Sequence, residues 1–75
     1  MNPSPDEQKN TILAYAHKRL PRPILIGEMA VLLGWWATLK DTEIIMNEMV
    51  AEGLLRCLTE EERRGFGIRH GYLAV

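Results

Sequence analysis

The chain has 75 residues, 47% apolar and 25% charged, with a net charge of -1 and a pI near 6.1. That length suits one domain, residues 1–75, with one core, and the composition is that of a soluble folded chain rather than a disordered one. A near-neutral total also argues against binding polyanions by bulk charge, since domains that do so commonly have a pI above ~9.

Residues 1–4 read as a flexible start, although Ser4 also suits the cap of a first helix. Pro5 fits its first turn, and Glu7, three residues after Ser4, completes a capping-box pattern. The helix should reach Lys18 or Arg19. At 100° per residue Ile12, Tyr15, Ala16 and Leu20 gather on one side, with Lys9, Asn10, His17 and Lys18 outside. The "PRP" at 21–23 then ends it, because neither proline can donate a backbone hydrogen bond.

Residues 23–26 look extended and leave room for a short strand. "IGEMAVLLG" follows as a brief helix with Ile26, Met29, Leu32 and Leu33 inward, Ala30 small enough for a close crossing, and Gly34 at a left-handed end. Thr38, with Asp41 three residues on, caps a further helix that spans 37–52 and stops at Gly53. From Leu54 the pattern becomes strand-like: "LLRCL", a charged turn "TEEERRGFG", then "IRHGYLAV". Two strands around a glycine-bearing turn make a hairpin.

Charge is unevenly spread. Residues 1–40 hold five Lys/Arg against three Asp/Glu, residues 41–62 one against seven, and residues 63–75 three against none. A basic end after an acidic middle allows local phosphate contact despite the negative total.

With "IGEMAVLLGWW", "TEIIMNEMVAEGLL" and "RRGFGIRHGYL" in this order, the chain resembles the winged helix-turn-helix family of small DNA-binding regulators over about residues 8–75. "MNEMVAEGLL", an amphipathic helix end running through glycine into a strand, carries most of the likeness. The resemblance implies an α+β fold: three helices, a C-terminal two-stranded β-hairpin wing and a short third strand near 23–26. It also implies a sequence-specific transcriptional regulator on double-stranded DNA. Helix 37–52 would enter the major groove, and the wing, residues 59–70, would lie on the backbone.

Taking Met46 as the centre of the inward face puts Leu39, Thr42, Met49 and Val50 beside it, and leaves Ala37, Ile44 and Ala51 as an outward stripe at seven-residue spacing. Thr38, Lys40, Asp41, Asn47 and Glu48 flank the stripe. Against DNA, Ile44 can touch a thymine methyl, Asn47 can pair with adenine, and Asp41 and Glu48 can accept from cytosine, although acids near phosphates cost affinity. Against protein, the Ala37/Ile44/Ala51 face is an ordinary docking surface, and the chain is then a protein-interaction module. A merely solvated face is the third reading.

In the wing, Arg63, Arg64, Arg69 and His70 form a candidate phosphate grip. The counter-reading is that Glu60, Glu61 and Glu62 pair with these arginines. So little positive charge predicts a homodimer or a protein partner, through the first helix or an exposed aromatic. Trp35 and Trp36 divide between core and rim, Phe66 is an exposed tip, and Tyr72 packs on the first helix.

Other chemistry finds little support. Cys57, the single cysteine, cannot form an internal disulfide. Cys57 and His70 fall on paired strands without a third orienting residue, and no zinc spacing, Gly-rich phosphate loop or carboxylate pair with an apolar cleft is present. The expectation is a non-enzyme with no metal and no cofactor. "MNPSPDEQKN" lacks the pattern of a signal peptide, and no apolar run approaches a membrane span, so a cytoplasmic location without membrane contact is expected.

Overall fold

A computed structural model describes residues 4–34 and 37–75, and the readings of Trp35, Trp36 and residues 1–3 lie outside them. It is a small α+β domain of four helices and a two-stranded antiparallel sheet among the described residues: α1 (Pro5–Arg19), α2 (Ile26–Leu33), α3 (Leu39–Ala51), β1 (Leu55–Cys57), α4 (Glu60–Phe66) and β2 (Tyr72–Ala74).

The caps read from the sequence form as hydrogen bonds. Ser4 Oγ accepts from the Glu7 N–H at 3.3 Å, which makes Ser4 the cap of α1 rather than part of a loose start. Thr38 Oγ1 accepts from the Asp41 N–H at 3.0 Å, so α3 begins at Leu39, two residues later than expected. Such bonds satisfy donors that the first helical turn leaves without partners. Gly34 follows α2 with φ +110° and ψ -173°, a positive φ in extended backbone rather than the expected left-handed end.

Ile12 and Ala16 of α1, Ile24, Met29 of α2, and Met46 and Met49 of α3 meet Leu55, Tyr72 and Ala74 of the sheet in one core. Thr42 is fully buried, and its hydroxyl donates to the Thr38 carbonyl at 2.8 Å, which removes the cost of burying it unpaired. The helical phases hold at the helix centres and fail at the ends. Leu20, Leu32 and Leu39, all expected inward, are 44%, 40% and 62% exposed, because each sits at or beyond the last or first turn, where the packing neighbour has ended.

In the sheet, Leu55 lies opposite Ala74 and Cys57 opposite Tyr72. The expected third strand is reduced to one bridge: the Ile24 N–H donates to the Tyr72 carbonyl at 2.8 Å and the Tyr72 N–H donates back at 3.0 Å. β2 therefore runs between β1 and Ile24. Tyr72 joins the core with Ile12 and Ala16 of α1, and its hydroxyl donates to Asn47 of α3 at 3.2 Å.

The larger correction concerns residues 59–70. The expected turn is a helix: Thr59 Oγ1 accepts from the Glu62 N–H, while Glu62 Oε1 accepts from the Thr59 N–H, and Gly67 closes α4 at φ +69°, ψ +31°. Glycine takes that left-handed geometry without a Cβ penalty. Residues 68–71, expected as strand, are the link from α4 into β2. At Gly71 a Cβ would come within 2.9 Å of both Ile68 Cδ1 and Leu58 Cδ1, so the link passes close beneath these side chains.

Candidate nucleic-acid interface

The link 68–70 is the hub of the basic surface. Between it and the first turns of α2 and α3 lies an open groove of about 630 Å³, lined by the apolar Leu25, Ile26, Leu39 and Ile68 and by the polar Lys40, Glu43, Arg69 and His70. Arg69 and His70 also line, with Arg63 of α4, a small cavity of about 70 Å³ against Cys57 and Tyr72. On the far side of Ile68, a third groove runs past Leu25 to Arg19, Arg22 and Phe66. The grooves share Leu25, Arg63, Ile68, Arg69 and His70 among them, so they adjoin one another.

Ion pairing decides which charges this surface offers. Lys9 bonds to Glu48 at 3.3 Å and Glu52 at 3.0 Å, Arg56 takes Glu62 in a two-pronged bond at 2.7 and 2.9 Å, and Arg64 reaches Glu60 at 2.7 Å. Lys40, Arg63, Arg69 and Arg22 carry no ion pair among the described residues. Arg19 stacks its guanidinium 5.8 Å from the Tyr15 ring centre and buries an Nε without a hydrogen-bond partner. The expected pairing of the Glu60–Glu62 run with the arginines is thus real for Arg64 alone. Glu62 turns instead to Arg56, and Arg63 and Arg69 stay available.

These pairs also set protonation. The Arg56 guanidinium, followed by the Thr59 backbone N–H, holds the Glu62 carboxyl down at about 2. The hydrogen bond to Glu52, reinforced by Glu48, holds the Lys9 ammonium above its ordinary range against some desolvation. Burial chiefly raises the Tyr72 phenol, with Cys57 and Glu43 adding to the effect.

The outer side of α3 is different in character. Ile44 is 49% exposed, and Asp41, Asn47, Glu48 and Ala51 are exposed around it, as the helical phase requires. Ala37 precedes the cap and is half-buried, so the expected three-membered stripe shortens to Ile44 and Ala51. Two side chains assigned to base contacts have partners inside the fold: Asn47 Oδ1 accepts from Tyr72, and Glu48 is tied to Lys9. Thr38 spends its hydroxyl on the cap. Of the candidate DNA-binding residues, Lys40, Arg69 and His70 come together at the groove, and Arg63 and Arg64 stand beside them on α4. Asp41, Ile44 and Glu48 lie on α3 but line none of these grooves.

Arg22 and Arg19, at the end of α1, join the basic surface and were not expected in it. Their signal in the sequence is faint, two arginines around a proline that ends a helix. Cys57 and His70 line the same small cavity, yet Cys57 pairs across the sheet with Tyr72. No group of three metal-ligating side chains occurs among the described residues, and no described helix is long and apolar enough to cross a membrane. Comparison with protein-family models, with curated proteins and with solved structures gave no match to this chain.

Proposed function

We propose that this chain is a small DNA-binding protein of winged-helix type, in which α4 and the link 68–70 stand where a wing would and grip the phosphate backbone. The observation that carries this reading is charge segregation. The grooves around Ile68 gather six Lys/Arg against Glu28, Glu43 and Glu60, whereas the remaining three Lys/Arg stand against seven Asp/Glu. One side is net positive in a chain that is net negative, which is the electrostatic footprint a duplex requires.

In this arrangement Lys40, on the first turn of α3, approaches the groove of the duplex from a helix N-terminus, where oriented N–H groups favour phosphate oxygens. Arg63 and Arg69 supply forked donors on either side of His70. The acidic outer side of α3 faces away from the backbone. The order helix, bridge, helix, helix, strand, short helix, strand supports the same reading in part, since β2 receives both Ile24 and β1 while α4 replaces the turn of a wing.

The test is binding of mixed-sequence duplex DNA, followed by fluorescence anisotropy at several salt concentrations. Affinity is expected to fall steeply with salt, and Arg63→Ala/Arg69→Ala should lower the slope of log K against log salt by about 2, one for each phosphate no longer neutralised. Arg64→Ala, which removes a side chain already paired with Glu60, should change it less. Absence of binding even at low salt, or an unaltered slope in the double variant, refutes the proposal.

A further inference from the structure

The small cavity between α4, the link 68–70 and the sheet differs in charge from the grooves that adjoin it. Each of those is lined by one glutamate, Glu60, Glu43 or Glu28, whereas the cavity of about 70 Å³ is lined by no acid. Arg63 lines it from α4, and Arg69 and His70 line it from the link. Neither arginine has an ion pair among the described residues. The acids of α4 do not compensate them: Glu60 is engaged with Arg64, Glu62 with Arg56, and Glu61 lines none of these grooves. Glu43, in the larger groove beyond Arg69, makes no ion pair with it among the described residues.

Gly71 supplies a second, independent sign. It is buried, and without a side chain it lines the cavity with backbone atoms alone. Its carbonyl accepts from the Leu58 N–H at 3.2 Å, but its own N–H has no acceptor among the described residues. A buried N–H in that condition is rare, because it has given up water and gained no bond in return. Two uncompensated guanidinium groups and an unanswered backbone donor thus line one small space.

From this lining we infer that the cavity binds one tetrahedral oxyanion of the phosphate class, held by Arg63 and Arg69 with His70 and the Gly71 N–H as further donors. Forked guanidinium donors match the oxygens of such an ion in charge and in geometry. Size narrows the ligand. A cavity of about 70 Å³ has room for roughly two waters at ~30 Å³ each, hence for one small ion. A larger organic body needs about 300 Å³ or more and has to stay outside. The ion is therefore free phosphate or a terminal phosphate reaching in from the end of a strand. Tyr72 adds no donor, since its hydroxyl is spent on Asn47. The site shares Arg63 and Arg69 with the proposed backbone grip but goes beyond it, because an oxyanion is bound here whether or not a duplex is.

The test is a titration of isotope-labelled chain with inorganic phosphate, exchanged for chloride at constant ionic strength and read by amide NMR shifts. Saturable shifts are expected at Arg69, His70 and Gly71, with a Kd on the order of millimolar. The Gly71 amide proton should move downfield as it gains an acceptor. Arg63→Ala and Arg69→Ala should each weaken binding by about tenfold. Arg64→Ala should leave it unchanged, since Arg64 is paired with Glu60 and does not line the cavity. All three arginines are exposed, so each variant should melt as the parent does. Shifts that grow without saturating, a Gly71 amide that does not move, or an equal loss in Arg64→Ala overturns the inference.

Two short duplexes of one sequence, with and without terminal phosphates, then separate the sources. Tighter binding of the phosphorylated duplex, relieved by free phosphate, supports the strand end. Saturable phosphate binding with no such preference supports the free ion. Phosphate binding without duplex binding sinks the DNA reading alone, and duplex binding without phosphate binding sinks this one alone.

Discussion

Arg56 and Glu62 meet in a planar, two-pronged bond from β1 to α4, and the same carboxylate accepts from the Thr59 N–H. One side chain thus ties the strand to the start of the helix that follows it. The sign of its pH dependence follows from linkage. The folded carboxyl titrates at about 2 against an ordinary 4.5, so the folded state binds fewer protons than the unfolded one between these values. Its contribution is fully present above the ordinary value and is lost as pH falls towards 2. Thermal unfolding in pH steps should show this loss in the parent and a shallower one in Glu62→Gln, with a modest difference because solvent screens the pair. Tyr72→Phe tests the other long-range polar contact. Removing the hydroxyl that bonds to Asn47 should cost about 0.5–1.5 kcal/mol in urea unfolding, and Asn47→Ala added to it should cost little more, since the pair acts as one.

Helices α1 and α3 were legible because each combines a capping residue at its start with an apolar period along its length, two independent signals that agree. α4 has only one of them. Its seven residues, "EEERRGF", show no apolar period and include Gly65, so the composition suggested a turn. The signal that finds it is Thr59 with Glu62 three residues on, the same kind of pattern that marks Ser4 and Thr38. Capping and the Glu60–Arg64 pair one turn apart take the place of a buried face. The missed helix also moved the candidate site. With α4 in place, Arg63 lines a cavity with Arg69 and His70, and Arg64 pairs with Glu60 one turn before it. Pairings such as Lys9 with Glu48 join residues far apart in the chain, and no local pattern could show them. If the cap is what holds α4, Thr59→Ala should cost about 1 kcal/mol, and hydrogen exchange should quicken across 60–66 while α3 keeps its protection. A loss of protection shared equally by α3 would mean that α4 belongs to the cooperative core.

At the scale of the molecule, charge and core perform separable tasks. The four ion pairs among the described residues have partners at or near the surface, whereas Met29, Met46 and Met49 are fully buried where α1, α2, α3 and the sheet meet. A domain of this length is stable by roughly 4–11 kcal/mol, and truncating one fully buried methionine removes about 2–5 of them. Met46→Ala should therefore bring the chain close to unfolding at moderate temperature. Met46→Leu, which nearly conserves volume, should cost less than about 1.5 kcal/mol. Salt separates the two tasks. Near 1 M, where the screening length falls to about 3 Å, surface pairs weaken while burial does not. The melting temperature of the parent should then change little, although the proposed DNA complex, which depends on unpaired arginines and a lysine, should dissociate. A parent protein that melted as readily in high salt as Met46→Ala does in low salt would place the stabilising free energy in its charges, contrary to what the burial of its three core methionines requires.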